Sequence, residues 1–134
     1  SKLGVWICTV NFAYDEHFQL YFLSKRTSRH MQNIGNDPRV SLSAYRTSQQ
    51  PHGNVIGLQM TAKAEIAADD EIEKICGYYF GRENPFFDAE QTKEYYDWDA
   101  TWKFVKVNPL SIWIYDTENL GDSRVAVPAK IFKP

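Results

Sequence analysis

Residues 20 to 42 read LYFLSKRTSRHMQNIGNDPRVSL, and the organisation of the whole chain follows from how this stretch is read. It opens on an apolar run that ends at Ser24. It then crosses Lys25, Arg26, Thr27, Ser28, Arg29 and His30, and it closes on Asn36-Asp37-Pro38 before a second apolar run. Proline lacks an N–H and restricts the residue before it, so a helix stops there. Ser28 is a good N-cap and Thr27 a second candidate. Met31 and Ile34 give the intervening short helix one apolar face, ending near Gly35. A strand therefore finishes at Ser24 and a helix begins at Ser28, with hydroxyl and basic groups gathered at the junction.

The first turn of a helix has N–H groups without intrahelical partners and the positive end of the helix dipole. An anion fits such an end, and a phosphate fits it well. Arg29 adds a planar donor fork, and Ser24 and Ser28 add hydroxyls. A plain capped helix with a solvent-facing arginine uses the same residues, although a basic first turn is electrostatically unfavourable without an anion. Both readings stand on this stretch alone.

Working outward, the 134 residues suit one domain spanning 1–134. Hydrophobic residues make up 43% and charged residues 24%, with a formal net charge of −2, so no general attraction to nucleic acid or anionic membrane is expected. No apolar run approaches the ~20 residues of a membrane helix, and no signal peptide opens the sequence. Cys8 and Cys76 sit in apolar patterns and read as buried thiols in a reducing compartment, so the cytoplasm is the expected location.

Val5–Tyr14 is rich in β-formers and reads as a strand, with Asp15-Glu16-His17 as a hairpin turn and 18–24 as the returning strand. Val40, Leu42 and Ala44 form the buried face of a strand over 39–45. Residues 46–54 read as loop. From 55 to 66 the alternation is long: Ile56, Leu58, Met60, Ala62, Ala64 and Ile66 face one way, and Gly57, Gln59, Thr61, Lys63 and Glu65 the other. The period then changes. Ile72, Ile75, Cys76, Tyr79 and Phe80 have helical spacing, with Asp69 or Asp70 as cap and Gly81 as terminator. A weaker helix is expected over 88–98. Strands follow at 101–107 and 110–116 around Asn108-Pro109, then a turn at Gly121-Asp122. Trp6, Phe12, Phe22, Phe80 and Phe104 read as core; Tyr78-Tyr79-Phe80 and Phe86-Phe87 read as interface. About six strands with short turns favour antiparallel pairing, and a small β-barrel with helices at its ends is the economical architecture.

His17, His30 and His52 are scattered and no Cys/His spacing suggests zinc, so no metal is expected. There is no nucleophile elbow, P-loop or dinucleotide fingerprint. Asp69-Asp70-Glu71 reads as a solvated helix start.

LYFLS…TSRHMQNIGNDPRVSL resembles the flavin-binding signature of the pyridoxamine 5'-phosphate oxidase-like FMN-binding split-barrel superfamily. There a strand ending in Tyr-Thr or Leu-Ser precedes Ser-Arg-Lys or Ser-Arg-His, a short helix and Asn-Pro-Arg-Val, and the spacing here matches without a gap. GLQMTAKAEI resembles the next strand of that family, and WKFVKVNPLSIWIYD its closing strands. The resemblance implies a mainly β, antiparallel split barrel. The family's opening helix and strand have no counterpart ahead of VWICTVNFAY, so the chain is read as lacking its first strand.

By the same resemblance, Ser24, Thr27, Ser28, Arg29 and His30 hold the phosphate of non-covalent FMN; His30 stands where many relatives have Lys. Asn11 runs along the flavin ring, and Gln59, or Gly57 on the same face, points at it. Trp113 and Arg124 lie near the ring or its substrate, from the other subunit of a homodimer with FMN sites at the interface. The implied activity is that of an FMN-dependent oxidoreductase, a flavin reductase or oxidase, acting on a small molecule. An Arg-rich substrate set for pyridoxamine phosphate is missing. The alternative is a non-catalytic carrier of FMN or a haem-type cofactor, or a stress-response protein.

Overall fold

A computed structural model describes residues 4–46, 48, 52–81 and 101–133. In chain order these form β1 (Phe12–Tyr14), β2 (Leu20–Lys25), α1 (Arg29–Asn36), β3 (Arg39–Tyr45), β4 (Ile56–Ile66), a 3-10 turn (Asp69–Glu71), α2 (Ile72–Gly81), β5 (Trp102–Asp116), β6 (Val125–Ala126) and a second 3-10 turn (Ala129–Ile131). The helix expected over 88–98 and the pair Phe86-Phe87 lie outside the described residues.

All pairings are antiparallel, in the order β1-β2-β5-β4-β3, with β6 also on β5. The sheet does not close on itself among the described residues, so the barrel is open rather than the edge-free one that economy favours. β1 and β3 are its edges.

The hairpin joining β1 to β2 is built around Asp15, 5% exposed. Its carboxylate accepts from the His17 and Gln19 backbone N–H groups at 2.9 and 3.0 Å and from the Tyr21 hydroxyl at 2.8 Å. A carboxylate this buried needs such donors. They also hold Phe18 at φ 60°, unusual for a bulky residue.

β2 is buried on both faces. Leu20 and Phe22 join a cluster with Met31, Met60, Ala62, Ala64, Val105, Val107, Ile112 and Phe132. Tyr21 joins Ala13, Ala67, Ile75, Cys76, Tyr79 and Phe104, where Leu23 also packs. β5 serves both clusters by alternation, with Phe104 and Val105 each 0% exposed on opposite faces. The helical spacing of α2 is explained by the second cluster: Ile75, Cys76 and Tyr79 are buried there.

Several expectations are corrected. Residues 5–11 form no strand; only Phe12–Tyr14 pairs, and Val5 and Ile7 are exposed. Trp6 is 52% exposed and Phe12 37%, so neither is core, and Cys8 is exposed while Cys76 is buried. These residues have β-forming character but no neighbouring strand among the described residues to cover them. Ile66 emerges into solvent at the end of β4, and Val40, Leu42 and Ala44 on the edge strand are only half-buried. The two strands expected around Asn108-Pro109 are one strand: the pairing passes from Thr61–Ser111 to Ala62–Pro109, leaving Leu110 as the extra residue of a β-bulge. A bulge accommodates proline's missing donor as readily as a turn does. At the start of α2, neither Asp69 nor Asp70 is the cap. Ala68 N–H donates to Glu71 Oε2 at 3.2 Å, and Glu71 also receives Lys106 Nζ at 2.7 Å.

Candidate functional site

β2 leaves the sheet at Lys25. Arg26 N–H donates to the Thr101 carbonyl at 3.0 Å, and Ser28 N–H donates to the Lys25 carbonyl at 3.0 Å, which makes the tight turn into α1. At the far end, Ala64 N–H donates to the Pro38 carbonyl at 2.8 Å, and Arg39 forks onto Asp37. The short helix is thus pinned to the sheet at both ends, and Met31 fixes its roll by entering the first cluster.

Ser24 continues the face of Leu20 and Phe22 and is 6% exposed. Its Oγ lies 2.6 Å from His30 Nε2, Ser28 Oγ lies 3.2 Å from the same nitrogen, and the two hydroxyls are 3.2 Å apart. The Phe22 ring stands 6.1 Å from the imidazole. Burial pushes the His30 pKa below its ordinary 6.5, which favours the neutral ring at neutral pH. In the neutral ring, Nε2 either accepts from the two hydroxyls or donates to one of them.

Ser28 occupies the N-cap position in extended conformation, but its hydroxyl makes no capping bond. It is turned to Ser24 and His30 instead. The first turn contains no acidic residue, and Lys25, Arg26 and Arg29 surround it. Lys25 Nζ stands 5.3 Å from the centroid of Trp102, its cross-strand partner, and the Arg29 guanidinium 4.2 Å from that of Trp6. Three polar side chains, Ser24, Ser28 and His30, therefore converge beside a helix start whose first residue is Arg29, in a chain that is negative overall. The residues fit a phosphate: with the imidazole Nε2–H donated to one hydroxyl, both hydroxyls are left to donate to terminal oxygens, and Arg29 at the same helix start adds a guanidinium.

A Ser–His hydrogen bond is also a nucleophile's requirement. Here Ser24 is buried, and no carboxylate orients His30 among the described residues. The geometry serves anchoring better than attack.

Of the residues the sequence singles out, Ser24, Ser28 and His30 come together, while Arg29 begins the same helix with its guanidinium against Trp6. Thr27 is exposed in the connecting turn, its carbonyl accepting from Gln32 Nε2 at 3.2 Å. Asn11 is exposed just before β1. Gln59 and Trp113 are direct cross-strand partners, and Trp113 also faces Ala126 of β6, with Arg124 exposed just before that strand. The row Tyr45–Gly57–Tyr115 lies beside them. This second group is far from the first: Ser24 pairs with Lys103, ten residues along β5 from Trp113, which in extended chain is up to about 33 Å. Sequence reasoning missed Trp6 and Trp102 as stacking partners of the basic groups. For Trp102 the signal was its register opposite Lys25, which needs the pairing to be known; for Trp6 there was none.

No family model matches the chain, and no curated protein matches it. Solved structures do. A haem-binding protein from Mycobacterium smegmatis superposes with TM-score 0.69 over 92% of this chain and 47% of its own, at 13% identity. General stress protein 26 from Bacillus anthracis gives 0.53 over 88% and 76%, at 18% identity. A pyridoxamine 5'-phosphate oxidase-like protein from Listeria innocua gives 0.53 over 78% and 73%, at 18% identity. The chain spans about half the length of the mycobacterial protein. The fold is that of the pyridoxamine 5'-phosphate oxidase-like split barrels, mainly antiparallel sheet with short helices. At these identities the likeness carries the fold alone.

Proposed function

We propose that the chain binds FMN non-covalently, with the phosphate held at the start of α1, and that it is an FMN-dependent oxidoreductase of the flavin reductase or oxidase type. The observation that carries this reading is the convergence of Ser24, Ser28 and His30 at an acid-free helix start that begins with Arg29, on a split-barrel fold. Ser24 and Ser28 donate to phosphate oxygens, Arg29 supplies the fixed charge, and His30 orders the two hydroxyls. Bound FMN supplies hydride or electron transfer, and the protein supplies orientation and a pocket. Asn11, Gln59, Trp113 and Arg124 are the candidates to flank the ring. Because Trp113, with Gln59 of β4 paired to it, lies so far along β5 from the partner of Ser24, their use at the same ligand calls for a second copy of the chain, hence a homodimer with shared sites.

The second reading is a haem carrier, favoured by the likeness to the mycobacterial haem-binding protein. An absorption spectrum of the purified protein, before and after titration with FMN and with haemin, separates the two: flavin bands support the first reading, and a Soret band supports the second. Arg29→Ala is expected to weaken FMN binding by about 1.5–3 kcal/mol, the range for a charged hydrogen bond. Unchanged titrations would remove Arg29 from the phosphate site.

A further inference from the structure

Ser24 ends the apolar row of β2, and the residue paired with it on β5 is Lys103. Directly paired residues of antiparallel strands point to the same face, with Cβ atoms about 4.5–5.5 Å apart. Along β5 that face continues as Val105 and Val107, opposite Phe22 and Leu20 and all but fully buried. The row that packs the first cluster therefore ends in a serine–lysine pair. The serine of that pair is buried, with its Oγ 2.6 Å from His30 Nε2.

Lys103 is half-buried and, among the described residues, makes no ion pair or hydrogen bond. Lys106, on the opposite face of the same strand, is the contrast: its Nζ lies 2.7 Å from Glu71 and 3.5 Å from Glu65. Alternation also turns Lys25 to that opposite face, where it stands over Trp102. A half-buried cation without a counter-ion is costly. The flexible four-carbon stem of a lysine lets its ammonium reach an anion bound beside the residue opposite.

We propose that Lys103 is a binding residue of the anion site: from β5 it brings a fixed positive charge to the phosphate monoester that Ser24 and Ser28 hydrogen-bond. The inference rests on the FMN-phosphate reading above. The site then draws on β2, α1 and β5, and the charge from β5 favours the phosphorylated flavin over the same ring system without phosphate.

The test is titration with FMN and with riboflavin, which lacks the phosphate, together with competition by inorganic phosphate. Lys103→Met keeps most of the stem and removes the charge. It is expected to weaken FMN affinity roughly tenfold, near the low end for a charged hydrogen bond, to weaken phosphate competition alongside, and to leave riboflavin affinity unchanged. The gap from the wild type should narrow as salt is raised. Lys103→Arg, which keeps the charge, should retain most of the affinity. Lys63→Met makes the same change in net charge on the exposed face of β4 and should bind FMN as the wild type does. An unchanged FMN affinity in Lys103→Met would overturn the proposal, and a loss in Ser24→Ala would then leave the anion site standing. Equal losses for FMN and riboflavin, or an equal loss in Lys63→Met, would overturn it as well. If the wild-type protein binds FMN no better than riboflavin, the phosphate site and the proposal fall together.

Discussion

His30 ties the chemistry of the junction to its stability. Burial depresses its pKa, so the folded protein takes up a proton there less readily than the unfolded chain. The stabilisation is present above the unfolded value near 6.5 and is lost as the pH falls through it towards the folded value. Glu71 and Asp116 are themselves held below 4.5 and 3.8, by hydrogen bonds from Lys106 and from Asn119 and Asn54, so their losses come at lower pH. Urea midpoints should therefore fall between about pH 7.5 and about pH 5.5, and His30→Gln should flatten that slope; an unchanged slope would show that His30 is not the group responsible. The hydroxyl and basic character of this junction was legible residue by residue, because caps and helix ends are local. The bond from Ser24 to His30 was not, since it depends on how α1 rolls against β2.

Among the elements, β4 is set by a single glycine. Gly57 lies between Tyr45 and Tyr115 in adjacent strands, and a Cβ there would stand 2.8 Å from the Ala44 carbonyl oxygen. That neighbour is backbone and cannot swing away. Gly57→Ala should therefore cost about 1–3 kcal/mol, read as a lower urea midpoint; a neutral result would mean that β3, an edge strand, shifts freely. The long alternation of β4 was plain in the sequence because period two over eleven residues has few rivals. β5 was misread as two strands because Asn-Pro marks a turn and a bulge equally well, and only the partner strand distinguishes them. The opposite error occurred at Val5–Asn11, where β-forming residues join no ladder among the described residues.

At the scale of the molecule, the described residues form one sheet, buried on both sides around β2 and the first half of β5, with a polar, aromatic face further along, where Gln59 is exposed and Trp113 and Tyr115 are half-buried. If that face completes the FMN site of a second copy, the protein should sediment as a dimer at low micromolar concentration. A clean monomer that binds FMN with full affinity would confine the site to one chain and remove Trp113 from it. Phe104, enclosed by Tyr79 and Phe80 at ring distances of 5.3 and 6.4 Å, is the anchor that holds α2 on the sheet. Phe104→Ala should cost about 3–5 kcal/mol in urea unfolding; a much smaller loss would mean that α2 can collapse into the space.

Strand and helix periods, the helix stop at Pro38 and the gathering of hydroxyl and basic groups at Ser24–Arg29 are properties of short stretches, and the amino-acid order was sufficient for them. Tertiary structure alone decided that the sheet stays open among the described residues, that Pro109 sits in a bulge, that Cys8 and Trp6 face outward, and that Trp6 meets Arg29. Each of these depends on contacts between segments distant along the chain, and local alternation carries no information about which distant segment arrives.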